Sequence, residues 1–311
     1  MRDDHETMVR SPPSAALTDA PCDAGRPRYN LIRDPSRGRP VPYPVAIDED
    51  RVAQVRHGFR PRARDAAIVT YPRSGTTWMQ QIVSALLVEA GLHPRDDRRR
   101  LAERIPWLEA MSPGSEIWMR SPRVFKTHAT HGLAPPIGRF VCVVREPKDV
   151  AVSTFHHTRA WRSFAFQGTW ARWLALFRAG EVEGGSWAEH VREWVDAAAR
   201  DPGRVLVVRY EDMHQDPGTV IRRVAAFLGV EVDAAGVARV IDESRFDRMR
   251  ADPRASHDHL GAFRTADATP FLRRGVRGDW KRHFSAAERR AFDAAIRAEL
   301  GAAGELLGYP S

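Results

Sequence analysis

Residues 70–78, TYPRSGTTW, combine a lone glycine with the hydroxyl side chains of Ser74, Thr76 and Thr77 and one arginine. The segment follows the apolar residues 66–69 and precedes a helical pattern over residues 77–91. This order predicts a strand, a tight turn and the start of a helix. The free N–H groups and the positive end of the helix then lie at the turn, where they can bind an anion. A Walker A loop has a lysine after its last glycine, whereas here Arg73 precedes Gly75. The turn suits a terminal phosphate or sulfate without a metal ion; a Ser/Thr-capped helix is the alternative.

A second candidate site lies in residues 123–128, RVFKTH. Lys126 and His128 are two residues apart at the end of a strand, so both side chains leave it on the same face. Histidine can take a proton from a hydroxyl near neutral pH, and lysine can stabilise a departing anion. A surface histidine beside a lysine would give the same pattern.

Arginines mark two further segments. Arg145 ends an apolar run, and a bidentate grip on phosphate by its side chain, with Ser153 as a second donor, is one interpretation; an ion pair is the other. Residues 271–281, FLRRGVRGDWK, place three arginines and two glycines before the last helical pattern. Such a loop often folds over a phosphate; a nucleic-acid patch or a solvated basic loop has the same composition.

The elements that position these residues alternate between strand-like and helix-like runs. Strand-like runs cover residues 66–71, 123–127, 139–145 and 204–209; helix-like runs cover 77–90, 148–159, 187–199, 216–228 and 286–300. This order predicts an α/β fold, a single domain with a central parallel β-sheet flanked by helices. Ligands of such sheets bind at the carboxyl ends of the strands, where the first three candidate segments lie or begin.

Composition limits the class of protein. Eight of the 22 prolines fall in residues 1–45, which predicts a disordered tail followed by one domain over residues 46–311. A net charge of +8 and a pI of about 10.1 favour an acidic partner. Two cysteines without metal-ligand spacing, no secretory signal and no apolar run of membrane length predict a cytoplasmic protein. Only three residues are lysines, which gives Lys126 and Lys148 weight among many arginines.

Taken together, YPRSGTTW, VFKTH, REPKDVAVS, RYEDM and FLRRGVRGDWK resemble, in this order, the cytosolic sulfotransferase family. The resemblance extends from about residue 45 to residue 300. It implies transfer of a sulfuryl group from 3′-phosphoadenosine 5′-phosphosulfate (PAPS) to a hydroxyl or amine, with release of 3′-phosphoadenosine 5′-phosphate (PAP). The implied partner is a small-molecule acceptor, with no metal, nucleic acid or membrane, and the loop at residues 73–78 is the P-loop-like phosphosulfate-binding loop.

The resemblance also implies roles for individual residues. His128 is the general base, and Lys126 and Arg73 stabilise developing charge. The implied donor-binding residues are Arg73, Ser74, Gly75, Thr76, Thr77, Trp78, Arg145, Ser153, Tyr210, Ser244, Phe246, Met249, Phe271, Arg273, Arg274 and Gly275. Acceptor-pocket candidates are Trp107 and residues 155–166, which are also typical core positions, and a lid is expected within residues 249–269.

Three departures from the family pattern accompany the resemblance. Arg73 stands where the family usually has lysine, so weakened catalysis is one hypothesis. Arg273 and Arg274 stand where the family usually has an arginine followed by a lysine. Residues 281–290 have arginine where a dimer motif has glutamate, which leaves the oligomeric state open. A P-loop phosphotransferase and a basic nucleic-acid-binding or anion-binding protein are the competing interpretations; the first needs a Walker lysine, and the second needs one contiguous basic surface.

Overall fold

The computed structural model describes residues 25–256, 258–266 and 268–308. Its centre is a parallel sheet of four strands in the order β4-β3-β5-β6. A two-stranded antiparallel hairpin of β1 and β2 precedes it. The strands are β1 (Asn30–Ile32), β2 (Val41–Tyr43), β3 (Ala66–Thr70), β4 (Val124–Thr127), β5 (Arg139–Val144) and β6 (Val205–Arg209).

Helices connect and cover the strands. They are α1 (Glu49–Ala53), α2 (Thr76–Glu89), α3 (Leu101–Arg104), α4 (Pro147–Ala160), α5 (Trp170–Ala179), α6 (Trp187–Arg200), α7 (Tyr210–Gln215), α8 (Pro217–Leu228), α9 (Ala234–Glu243), α10 (Phe246–Ala251), α11 (Ala286–Leu300) and α12 (Ala302–Leu306). Within the described residues, no helix is both long enough and apolar enough to span a bilayer.

Both faces of the sheet are buried, which explains the nearly continuous apolar strands. Ala67 and Val69 of β3 point into a core shared with α4, α6 and α11. The alternate residues Ala66 and Ile68 point into a second core shared with α2, α8 and α9. Because side chains alternate along a strand, one five-residue strand contributes to both cores. β3 is therefore fixed between its neighbours, and so is the turn that follows it.

The predicted α/β fold with a central parallel sheet is confirmed. All four predicted strands and all five predicted helices are present, with ends that differ by at most one residue. The structure adds the hairpin of β1 and β2 and several helices that the periodicity did not reveal, α5 and α9 among them.

The predicted tail over residues 1–45 requires a correction. Residues 1–24 lie outside the described residues, but the prediction of disorder is wrong for residues 30–43, which contain β1 and β2. Ile32, Val41 and Tyr43 of this hairpin are buried together with Leu133. Proline-rich composition hid the hairpin, because its short strands bury their apolar side chains against a loop that is distant in sequence.

A buried ion pair holds the amino-terminal side of the sheet. Arg123, which is 1% exposed, donates from Nε to Asp65 Oδ1 at 2.9 Å. Its other nitrogens donate to the carbonyl oxygens of Glu116 and Arg60. Asp65 and Arg123 immediately precede β3 and β4, so the pair connects the starts of two adjacent strands.

We expect the Arg123→Met variant to lose about 3–5 kcal/mol of unfolding free energy, because it leaves the Asp65 carboxylate buried without its cation. Denaturant titration at neutral pH measures the loss. The double variant Arg123→Met/Asp65→Leu is the control and should be more stable than Arg123→Met. A single variant as stable as the unmodified protein would contradict a structural role for the pair.

Candidate functional site

The turn after β3 is shaped for close approach of a ligand. Gly75 has φ 110°, and a Cβ atom there would lie 2.7 Å from Cδ2 of Tyr210. Arg73 also has a left-handed backbone, with φ 68°. No described side chain caps the N-terminus of α2, so its first N–H groups face the turn. The hydroxyl of Ser74 is fully buried and has no hydrogen-bond partner among the described residues.

His128 follows β4 and is held by the end of β3. Its Nδ1 lies 2.9 Å from the carbonyl oxygen of Thr70. A carbonyl oxygen only accepts hydrogen bonds, so Nδ1 carries the proton and Nε2 has the lone pair that a base needs. Burial and the nearby charge of Lys126 lower the pKa of His128 to about 3. The imidazole is therefore neutral at pH 7.

Lys126 lies on the same face of β4, as its spacing from His128 predicted. Its ammonium group lies 5.1 Å from the ring centroid of Trp107, and that ring also packs edge-on against His128. Burial lowers the pKa of Lys126 to about 8, and Arg73 lowers it further, whereas Glu183 and Glu109 raise it. The ammonium is still largely protonated at pH 7.

Arg73 connects the turn after β3 with the segment before α11. Its Nε donates to Ser153 Oγ at 3.3 Å, and its Nη2 donates to the carbonyl oxygen of Phe271 at 3.0 Å. The guanidinium also lies 4.6 Å from the centroid of the Phe271 ring. Burial and the charge of Arg145 lower the pKa of Arg73 to about 10, so the group stays charged.

Arg145 directly follows β5 and lies across the same turn. It donates to the carbonyl oxygens of Arg73 at 3.3 Å and of Val276 at 3.1 Å. Its guanidinium lies over the Tyr210 ring, 4.2 Å from the centroid. The Nε of Arg145 is buried and has no partner among the described residues. Arg145 and Ser153 from one motif and Tyr210 from another are thus brought together around Arg73.

The arginine-rich segment folds back onto α4 and α10. Gly275 has φ 62°, and a Cβ atom there would lie 2.2 Å from Cδ2 of Phe246. The side chains of Arg273 and Arg274 both pair with the buried carboxylate of Asp279. Asp149 of α4 accepts hydrogen bonds from the backbone N–H groups of Gly278 and Trp280.

Asp149 and Asp279 were not predicted to be site residues. Asp149 shares a helix face with Ser153, and Asp279 lies inside the segment FLRRGVRGDWK, so both positions were visible. Their role was not: Asp149 holds the arginine-rich segment through contacts with residues distant in sequence, and Asp279 pairs with two arginines of the segment itself. A carboxylate beside phosphate-binding arginines carries no sequence signal of its own.

The other residues predicted to bind the sulfuryl donor lie around the same turn and in α9 and α10. Trp78 packs edge-on against Tyr210 and His214, and its Nε1 is buried without a partner among the described residues. The Thr76 hydroxyl lies 2.7 Å from the Thr70 hydroxyl. Thr77 is on the first turn of α2. Ser244 and Met249 are buried at the end of α9 and within α10, on either side of Phe246.

Two buried carboxyl groups near Lys126 were missed by the sequence analysis. Glu109 accepts from the Thr127 hydroxyl through one oxygen, and its other oxygen is buried with no partner among the described residues. Glu183 is 9% exposed. Burial raises the pKa of each carboxyl to about 7, and Lys126 opposes that shift in both. Isolated glutamates have no motif, so only the fold reveals them.

The predicted acceptor-pocket residues separate into two groups. Trp107 contacts both Lys126 and His128, as described above. In residues 155–166, Phe155 and Phe166 are buried core side chains, whereas Trp161 pairs with Arg264 in an isolated backbone bridge. The predicted lid region therefore touches the end of α4. Among the described residues, no group of three or more histidine, cysteine, aspartate or glutamate side chains is arranged to hold a metal ion.

Comparison with known proteins identifies relatives of the whole domain. A family model described as "Sulfotransferase domain" matches residues 63–304. Sulfotransferase 1B1 of Mus musculus is 31% identical over 276 residues, which cover 85% of this chain and 90% of that protein. Sulfotransferase 1C2 of Homo sapiens is 32% identical and covers 81% and 88%.

Solved structures give the same result for the fold. The crystal structure of mouse sulfotransferase SULT7A1 complexed with PAP superposes with a TM-score of 0.69 at 25% identity, over 84% of this chain and 92% of that chain. The structure of retinol dehydratase in a complex with retinol and PAP has a TM-score of 0.70 at 22% identity, over 81% and 85%.

The lowered pKa of His128 predicts a specific dependence of stability on pH. Between the ordinary pKa of 6.5 and the folded value of about 3, the unfolded chain binds a proton at this imidazole that the folded chain does not. Stability from this group is therefore present above pH 6.5 and is lost as the pH falls. Between pH 7 and pH 5, the free energy of unfolding of the unmodified protein should fall by about 2 kcal/mol more than that of the His128→Gln variant.

Denaturant titrations at the two pH values measure this difference, and the exposed His57→Gln variant controls for loss of an imidazole as such. Equal losses in the protein and in His128→Gln would show that the folded imidazole titrates normally.

Proposed function

The chain belongs to the sulfotransferase family, and from that membership we propose that it transfers a sulfuryl group from PAPS to a hydroxyl or amine of a small molecule and releases PAP. The acceptor would bind beside Trp107, whose ring packs against both Lys126 and His128. A PAP complex of a relative supports the choice of donor. What supports it in this chain is the match between the site and a nucleotide with an anion at each end.

One observation carries the choice of donor. Ser74 Oγ, Trp78 Nε1 and Arg145 Nε are polar atoms that are buried without partners among the described residues. Such atoms are unfavourable in a folded protein unless something bonds them. All three lie on or beside the turn after β3, around Tyr210. A bound nucleotide with a phosphosulfate group would supply the missing acceptors.

The donor-binding residues fall into two groups in this proposal. Residues 73–78 would hold the phosphosulfate end at the uncapped start of α2, where N–H groups and the helix dipole favour an anion. Arg145, Ser153 and the segment with Arg273 and Gly275 would hold the 3′-phosphate. Binding would draw Arg273 and Arg274 from Asp279 to the phosphate, which offers more acceptor oxygens.

His128 and Lys126 have separate roles in the proposed sulfuryl transfer. PAPS supplies a sulfuryl group bound to a good leaving group, so the protein has mainly to align the reactants and stabilise charge. The Thr70 carbonyl fixes the Nδ1–H tautomer of His128, and Nε2 takes the proton of the attacking hydroxyl. Lys126 contributes a partly buried positive charge that acts on the same imidazole.

Arg73 stands where the family usually has lysine, and its contribution to the proposed reaction follows from the contacts that it makes. Its guanidinium bonds Ser153 and the carbonyl of Phe271, so it connects the two proposed anion sites. The ammonium group of a lysine lacks the planar, spread-out N–H donors with which the guanidinium makes both hydrogen bonds. We propose that Arg73 contributes fixed positive charge and holds the loops together, and that proton donation to the leaving group is not its role.

The His128→Ala variant should lose turnover by at least about 100-fold, because it lacks the base. PAP affinity should stay within a few-fold of the unmodified protein, because the imidazole contacts the acceptor side. Turnover is measured as PAP released from PAPS, and affinity by calorimetric titration. Near-normal turnover in the variant would remove His128 from the mechanism.

The Arg145→Ala variant should bind PAP more weakly by about 1–3 kcal/mol, since it loses a charge-assisted contact to the 3′-phosphate. Affinity for 5′-AMP, which lacks that phosphate, should change much less. The exposed Arg222→Ala variant controls for net charge. Equal weakening of PAP and 5′-AMP binding would contradict the assignment of Arg145 to the 3′-phosphate.

A further inference from the structure

A cavity of about 240 Å³ lies at the amino-terminal edge of the sheet. Phe140 and Val205, near the starts of β5 and β6, form part of its wall, and His131 of the segment between β4 and β5 forms another part. Arg145, at the proposed donor site, lies beyond the other end of β5. At about 3.3 Å per residue along the strand, Phe140 and Arg145 are roughly 16 Å apart, so the cavity is separate from the proposed donor site.

The floor of the cavity is aromatic and already ordered. Trp194 is 0% exposed, and its ring centroid lies 4.8 Å from that of Phe140 and 5.3 Å from that of His131. The Nε1–H of Trp194 donates to the carbonyl oxygen of Ala129 at 3.1 Å, so the indole needs no further polar partner. An apolar cavity of about 150 Å³ can hold benzene, so this one has room for an aromatic ring with a further group.

Two arginines from distant segments line the same cavity. Arg56 belongs to the helical turn at residues 54–58, and Arg204 directly precedes β6. The guanidinium of Arg204 lies 5.9 Å from the centroid of the Phe140 ring, and its Nη2 donates to the carbonyl oxygen of Ile137 at 3.3 Å. Neither arginine forms an ion pair within the described part of the chain. Most of their N–H donors are therefore available to a ligand.

Carboxylates do not balance these charges within the cavity. None of the described residues that line it is an aspartate or a glutamate. Glu193, beside His131, accepts from the backbone N–H of that histidine at 3.2 Å and from Nε of Arg37 at 2.7 Å. Asp201 accepts from the backbone N–H of Arg204 at 3.1 Å. The wall thus combines uncompensated positive charge with an aromatic floor.

We propose that this cavity binds a small aromatic compound that carries one carboxylate or sulfate group. The ring would lie against Trp194 and Phe140, and the anionic group would lie between Arg56 and Arg204, whose N–H donors match paired oxygens. A neutral aromatic compound leaves the guanidinium groups without an anion, and an inorganic anion leaves the aromatic floor uncovered. The site is distinct from the proposed reaction centre and does not rest on the proposed function.

The test uses two fluorinated probes that differ in one charge. 4-Fluorobenzoate carries the anionic group, and 4-fluorobenzamide is its neutral isostere. Titrations of the purified protein, followed by fluorine NMR of the probe, give both dissociation constants. We expect a Kd of about 1 mM or lower for the benzoate and binding of the amide that is weaker by at least about 3-fold. No binding of the benzoate at millimolar concentrations, or equal affinity for the two probes, overturns the inference.

Variants of the two arginines test where the benzoate binds. Arg56→Gln and Arg204→Gln should each weaken its binding by at least about 3-fold and leave binding of the amide unchanged, which shows that the cavity is intact. Arg204→Lys keeps the charge and should lose less affinity than Arg204→Gln. The exposed Arg222→Gln variant on α8 controls for net charge and should bind like the unmodified protein. Unchanged benzoate affinity in either Arg56→Gln or Arg204→Gln overturns the inference.

Titrations with and without PAP separate the cavity from the proposed donor site. PAP would occupy the anion sites around Arg73 and Arg145, so it should change the benzoate affinity by less than about 2-fold. Displacement of the benzoate by PAP would place the probe in the donor site and overturn the inference. Failure of the protein to bind PAP refutes the proposed function alone, because the arginine variants still decide whether the cavity binds the anion.

Discussion

The structure depends on the burial of several cations in one small region. Desolvation lowers the pKa of both Arg73 and Lys126, and the charge of Arg73 lowers the pKa of Lys126 further. Arg145 adds a third positive charge beside Arg73. Like charges in a region of low dielectric repel strongly, so this arrangement destabilises the protein unless an anion is bound. The same cost makes the region selective for a ligand that carries several negative charges.

The fold tolerates that cost because the strands that carry the cations are fixed elsewhere. β3 contributes to two separate cores, and the pair of Asp65 and Arg123 connects the starts of β3 and β4. Asp149 then holds the arginine-rich segment through two backbone N–H groups. Rigid packing at a distance from the site therefore allows unfavourable charges and unpartnered polar atoms to persist within it.

Sequence patterns predicted the sheet, its main helices and the residues at its carboxyl edge, because apolar runs and turn chemistry are local properties. Gly75 shows why this works: the tight turn needs a positive φ and space beside Tyr210, and glycine provides both. The hairpin of β1 and β2 was missed because its core lies in distant segments. Asp149 was missed for the same reason, since its hydrogen bonds to the arginine-rich segment are long-range contacts.

The central claim is that this site binds a nucleotide with a 3′-phosphate and an anionic 5′ end. Calorimetric titration of the purified protein with PAP, and with ADP and 5′-AMP, in buffer without magnesium tests it directly. The account predicts that PAP binds at least about 10-fold more tightly than either control, the effect of one charge-assisted phosphate contact. Equal affinity for the three nucleotides would contradict it, because Arg145, Ser153 and the arginine-rich segment would then recognise no 3′-phosphate.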